Sequence, residues 1–283
     1  MSNIVTLYQR LKGDKQIWMI ATFLLLASIL AVYSSIGSMA YRQKGGNTEY
    51  FLIEQITYVC LGFGFMWLFY RIDYRKFLKI APYFLLITLG LLVYTLFFGH
   101  EIHNAKRWIV IPLINKTIQT SDLAKLALFI YLARTLATKQ DVIKDMKAAW
   151  VPLFIPVTLV CVFIAPNNLS TALIIFLTSI LVLFIGRISL RFIFSLSLVV
   201  TILGAGVFLL GLIFPNQIRT ETWINRIANF IKQDDSTFQV VQSKIAIANG
   251  GWTGLGPGHS VQKNFLPEAW SDFIYSIIVE EYG

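Results

Sequence analysis

IWMIATFLLLASILAVYSSIG, residues 17–37, runs for 21 residues without a single charge. A helix needs about 20 mostly apolar residues to cross the hydrocarbon core of a bilayer, so this run is one span long. Six more mostly apolar runs follow, at about 50–70, 77–99, 121–137, 150–165, 169–186 and 190–215, and another starts near Asp272 and reaches Gly283. Backbone polar groups in hydrocarbon must be satisfied within the segment, so these runs predict helices. They are too long and too uniformly apolar for the alternating strands of a transmembrane barrel. The expected fold class is all-α: a polytopic transmembrane helix bundle of seven full spans plus the start of an eighth, in one domain covering residues 1–283. Helices beyond Gly283 are expected as well, because a chain rarely stops in the first turns of a span.

Working outward, the 283 residues are 56% hydrophobic and 14% charged. Soluble domains carry about 25% charged residues, and a chain this apolar could not cover itself with polar surface in water. Residues 1–16 are polar and basic, and the run after them lacks an A-x-A cleavage site. That pattern describes a retained signal anchor rather than a removable signal peptide. Cys60 and Cys161 both lie in apolar runs, where cysteine behaves as a small hydrophobe. No disulfide framework or Cys/His metal spacing is present, and no internal repeat supports an inverted-repeat transporter.

Orientation follows from loop charges. With the N-terminus inside, the inner segments hold Arg10, Lys12 and Lys15; Arg71, Arg75, Lys76 and Lys79; Arg134, Lys139, Lys144 and Lys147; and Arg187 with Arg191. Two larger segments then face outward, residues 100–120 and 216–271. Outer loops should be poor in Lys and Arg, yet the first carries Lys106, Arg107 and Lys116, and the second Arg219, Arg226, Lys232, Lys244 and Lys263. Long loops translocate regardless of charge; alternatively, some of these cations meet anionic groups at the outer leaflet, phosphates above all.

Asp122 and Lys125 lie three apart and share a helix face; they read either as a structural ion pair near the interface or as an intramembrane site. Glu54 reads as interfacial. The stretch NGGWTGLGPGH (residues 249–259) is dense in glycine without being a P-loop, and it predicts a sharp turn or a close backbone approach. His259 has no second ligand at metal spacing. Asp272, in LPEAWSDFIYSII (residues 266–278), sits where a polar segment re-enters an apolar helix. Partial desolvation there raises a carboxyl pKa toward that of a useful base, while a helix N-terminus favours the anion through capping and the dipole.

With those residues in hand, QVVQSKIAIANGGWTGLGPG (residues 239–258) and FLPEAWSDFIYSIIVEEYG (residues 265–283) resemble the signature of the SEDS family, the FtsW and RodA proteins. Gln239, Gln242, Ser243, Ala246, Ile247, Gly250, Gly251, Gly254, Gly256, Gly258, Leu266, Pro267, Glu268, Asp272, Phe273 and Ile274 meet it. AKRWI (residues 105–109) is similar to the family's short outer motif, and SDLAKLALFIYLA (residues 121–133) to its fourth-helix motif, with Asp122 where Glu is usual. NNLSTALII (residues 167–175) departs from the family's P-D-x-G-T, with Asn168 replacing the acid and Ser170 the glycine. Family members have about ten spans, each of about 20 residues.

The resemblance implies peptidoglycan glycosyltransfer at the outer face of the bacterial cytoplasmic membrane. Lipid II is the implied acceptor and an undecaprenyl-diphosphate-linked strand the donor, with a septal, FtsW-like role favoured over an elongation, RodA-like one. Asp272 would be the general base. Lys106, Arg107, Trp108, Asp122, Lys125, Arg226, Gln239, Gln242, Ser243, Lys244, Gly256, Gly258 and Glu268 would serve the substrates, with Trp108 either stacking on a sugar or packing at the interface. A divalent cation, magnesium or manganese, is compatible with the chemistry, but no dedicated metal cage is visible. The implied partners are membrane lipids, divisome proteins and a class B penicillin-binding transpeptidase, and no nucleic acid. The rival readings are a lipid II flippase and a scaffold without chemistry.

Overall fold

The computed structural model describes residues 14–102, 105–111, 116–140, 150–213, 220–232 and 238–283. Helices form at all seven expected runs: α1 (Lys15–Ser35), α3 (Thr48–Arg71), α4 (Tyr74–Phe98), α5 (Thr120–Thr138), a π-helical turn (Trp150–Phe154) continuing into α6 (Ile155–Ile164), α7 (Leu169–Ile185) and α8 (Leu190–Ile213). Four of them, α1, α3, α4 and α8, are long and apolar enough to cross a membrane. The π turn with α6, and α7, are apolar but shorter, while α5 carries Asp122, Lys125 and Arg134. A short α2 (Gly37–Lys44) follows α1. The chain is a multi-pass, all-α membrane protein.

The two expected outer loops hold more structure than the sequence suggested. Residues in 100–119 build a small antiparallel sheet, β1 (His100–Ile102), β2 (Ala105–Ile111) and β3 (Lys116–Gln119), in the order β1-β2-β3. Trp108 pairs with His100 on one side and Gln119 on the other. The longer segment contains α9 (Thr220–Lys232), α10 (Phe238–Gly250) and a 3₁₀ turn (Gln262–Asn264) before α11 (Ile274–Tyr282). The eighth helix thus begins two residues after Asp272.

The chain divides into two compact units, Ile72–Ala228, and Met1–Arg71 with Asn229–Gly283. In the first, α4 buries Ala81, Leu85, Thr88, Leu92 and Thr95, a 4-3-4-3 spacing that keeps one seam facing its neighbour. The facing helix α5 buries Ser121, Ala124, Leu128, Leu132 and Thr135 along one stripe and adds Ala127. Lipid tails are as apolar as leucine, so small residues that let backbones approach are what hold such helices together. Phe192 and Leu196 of α8 and Ile175 and Leu183 of α7 complete this core. Helix α7 ends in a Schellman motif: Ile188 N–H bonds Leu183 O at 3.2 Å and Arg187 N–H bonds Phe184 O at 3.0 Å. Arg187 occupies the left-handed position (φ 59°) where glycine is usual.

In the second unit α1 packs on α3, and α10 packs along α11. A cluster of Ile36, Ala40 and Phe51 joins α1, α2 and α3, and Trp270 rests against it. Leu266, Ala269 and Ile277 form a second cluster with Phe273.

Candidate active site

Each unit gathers one group of the predicted residues. In the Ile72–Ala228 unit, β2 carries Arg107 to a small cavity shared with Thr95 of α4, Thr120 and Ser121 at the start of α5, and Asn167 and Asn168 between α6 and α7. At about 20 Å³ it has room for a single water. Asn168 caps α7, its side chain accepting from Thr171 N–H at 3.2 Å, so the asparagine that replaces the family acid does the local work of a cap. Lys125 Nζ and Asp122 Oδ1 are 3.1 Å apart, with the side chains 44% and 60% exposed. The pair is therefore a self-neutralised surface pair on the first turn of α5, where the helix dipole also favours the aspartate. Trp108 is half-buried on β2. The side chains of Lys106, Lys116, Arg226 and Lys232 fall outside the described residues, as do Arg10, Lys12, Lys144, Lys147 and Arg219.

In the other unit the motif residues shape the segment that carries Asp272. The glycines do this first. A Cβ on Gly250 would collide with the carbonyl of Val279, so the end of α10 can lie directly on α11 only without a side chain there. Gly254 combines φ +69° with the same crowding against the carbonyl of Glu281. Gly256 and Gly258 also take left-handed φ; their structural role is to turn the backbone. Ser243 of α10 and Ser276 of α11 share a hydrogen bond of 2.5 Å between hydroxyls. Gln239 and Gln242 are half-buried on α10, and Lys244 is exposed. His259 Nδ1 lies 3.0 Å from Pro257 O, and among the described residues no group of three His, Cys, Asp or Glu could hold a metal.

Next come two carboxylates that sequence reasoning passed over. Glu280 is fully buried; it accepts from the Ser260 hydroxyl, from Val261 N–H at 3.4 Å and from Gln262 N–H at 3.2 Å. Glu281 is 2% exposed and accepts from the Ser34 hydroxyl of α1 at 2.5 Å. Lys263 Nζ bonds Gly258 O at 2.7 Å and Ser34 O at 3.3 Å. Adjacent glutamates before a tyrosine look like an ordinary helix end in sequence. Only the return of residues 260–263 to α11 shows what they hold.

Asp272 itself projects from a tight turn. Ser271 N–H and Phe273 N–H both bond Glu268 O, each at 3.2 Å, and the Ser271 hydroxyl bonds Glu268 Oε2 at 3.1 Å. Ala269 is buried on one side, Trp270 packs on the Ile36 cluster on the other, and Phe273 packs inward, leaving Ser271 and Asp272 exposed between them. Capping is not the role of Asp272: α11 begins at Ile274 with Phe273 as the capping residue and no side-chain cap bond. Among the described residues its carboxylate makes no hydrogen bond or ion pair. It is an exposed acid on a braced turn, open to an incoming hydroxyl.

Comparison with known proteins agrees with this motif. Residues 14–283 match the family model for cell cycle proteins of the FtsW, RodA and SpoVE type. The chain belongs to the FtsW/RodA/SpoVE family. It is 30% identical to a probable peptidoglycan glycosyltransferase FtsW of Aliivibrio salmonicida, over 95% of this chain and 66% of that protein. With the protein of that name from Pseudoalteromonas translucida it shares 34% identity, over 84% of this chain and 58% of the relative. With the one from Geobacter sulfurreducens it shares 34%, over 95% and 71%. The chain therefore spans about two thirds of the length of these FtsW relatives. A chain in the solved structure of a peptidoglycan synthase complex that coordinates polymerization and crosslinking shares the fold, with a TM-score of 0.60 at 20% identity, covering 93% of this chain and 70% of that one.

Proposed function

We propose that the protein polymerises lipid II into glycan strands at the outer face of the cytoplasmic membrane, as a family glycosyltransferase acting in septal wall synthesis. The observation that carries this reading is Asp272, exposed and without a hydrogen-bond partner among the described residues, on a turn fixed from both sides. In the reaction the 4-hydroxyl of the acceptor GlcNAc attacks the anomeric carbon of the donor strand. The new C–O bond forms as the bond to the diphosphate breaks, the electron pair leaves with undecaprenyl diphosphate, and the hydroxyl proton passes to the Asp272 carboxylate. One base suffices for a single inverting displacement because diphosphate is already a competent leaving group.

Both substrates are anchored in a bilayer, so confinement replaces part of the translational entropy of bringing two sugars together. Arg107 and Lys125, with Lys106, Arg226 and Lys244, are the cations offered to the developing phosphate charge. A divalent ion could share that role. A class B transpeptidase is the proposed partner. The flippase reading leans on Asp122 and Lys125 as intramembrane charges, and these two side chains pair with each other at 3.1 Å.

Asp272→Asn in the full-length protein is expected to leave expression and folding intact and to lower polymerisation of purified lipid II by about 10²–10⁴-fold, the usual contribution of a general base. Gel analysis of glycan products measures this. Undiminished polymer from the variant would take Asp272 out of the mechanism.

A further inference from the structure

The turn that carries Asp272 is tied down at its far end by a carboxylate the chemistry does not use. Glu280 has no exposed surface, and its three donors come from consecutive residues, Ser260, Val261 and Gln262. Lys263 N–H then bonds the Ser260 hydroxyl at 3.2 Å. The side chain thereby caps the 3₁₀ turn at Gln262–Asn264, which has no cap bond from a side chain of its own. One turn toward the start of α11, Ile277 lies on the same helix face as Glu280 and receives Leu266 and Ala269. The returning segment thus meets one face of α11 at two levels, through a carboxylate below and apolar contact above. Asp272 follows three residues after Ala269.

We infer that Glu280 is a positioning residue for Asp272: its buried carboxylate locks residues 260–263 onto α11 and so fixes where the base projects. The inference rests on the reading of Asp272 as the base. Glu280→Ala would leave the Ser260 and Gln262 donors buried without an acceptor, and buried donors do not stay unpaired; the segment would rearrange and carry Asp272 with it. A displacement of about 1 Å in a reacting group costs about 100-fold. Glu280→Gln keeps one acceptor oxygen, which serves Ser260 and Gln262, but sets an amide N–H₂ against Val261 N–H.

The test is made on the full-length protein, with lipid II kinetics and amide hydrogen exchange run side by side. The expected result for Glu280→Ala is a fall in kcat of about 100-fold with KM for lipid II within about threefold, and faster exchange at Val261, Gln262 and Lys263 while α10 stays protected. Glu280→Gln should recover part of kcat. If Glu280→Ala fails to fold, Ser260→Ala, which removes one donor to Glu280 and the acceptor of Lys263 N–H, should show the same kcat-selective loss in smaller measure. Unchanged exchange at residues 261–263 would overturn the clamp. Faster exchange with an unchanged kcat per folded molecule would overturn its link to Asp272. Failure of the wild type to polymerise lipid II would instead sink the functional reading, and the exchange data would still decide the clamp.

Discussion

At the residue scale, the acids of this protein divide by what surrounds them. Asp272 is exposed and unengaged, Asp122 is paired with Lys125 at 3.1 Å, and Glu280 and Glu281 are buried among donors. The Asp122–Lys125 pair is exposed, with side chains 60% and 44% accessible, and exposed pairs contribute between zero and about 1 kcal/mol. Asp122→Ala should therefore shift thermal stability by less than about 1 kcal/mol, read from the unfolding midpoint in detergent. A larger loss would mean that the pair braces the start of α5 and is more than a charged surface. Asp272 was legible in sequence because it sits at a change from polar to apolar composition within a dense motif. The two glutamates were not, because their function depends on which residues fold back to meet them, and residue 260 returns to residue 280 only in three dimensions.

At the scale of elements, the long spans could be read directly, since a run of apolar residues in lipid has one backbone solution. The sheet at residues 100–119 and helices α9 and α10 could not, because short mixed-polarity segments take their structure from what they pack against. The glycines show the same limit. Their number predicted turning or close approach, and the structure assigns each task to a position. Gly250 lies against the Val279 carbonyl at normal backbone angles, Gly251 has open space but φ +54°, and Gly90 of α4 has neither constraint. Three alanine substitutions should therefore separate. Gly90→Ala should be neutral or slightly stabilising. Gly251→Ala should cost about 1 kcal/mol for the left-handed backbone. Gly250→Ala should cost about 3 kcal/mol or more, because overpacking forces backbone apart, and it should also lower activity by parting α10 from α11. Thermal melts of the three variants check the order, and a Gly250→Ala protein as stable as wild type would show that α10 and α11 do not meet there.

On the scale of the whole molecule, the Ile72–Ala228 unit has two distinct ends. One end brings together Thr95, Arg107, Ser121, Ile164 and Asn168 around the small cavity. The other brings Trp150 to Phe192, with ring centroids 6.2 Å apart, and Gly186 against the Leu136 side chain. Successive helices α4 to α8 therefore alternate in direction. The second end is the one flanked by Arg134, Lys139, Arg187 and Arg191, and the positive-inside rule predicts that such an end lies on the cytoplasmic side. The proposed reaction at the outer face needs the motif segment on that face. Trp252, fully exposed within that segment, makes this measurable. In a Cys60→Ser, Cys161→Ala background, Trp252→Cys should react with a membrane-impermeant maleimide on intact cells, and Lys139→Cys only after permeabilisation. The reverse pattern would put Asp272 on the cytoplasmic face, away from any acceptor already carried across the bilayer, and polymerisation at the outer surface could not be its task.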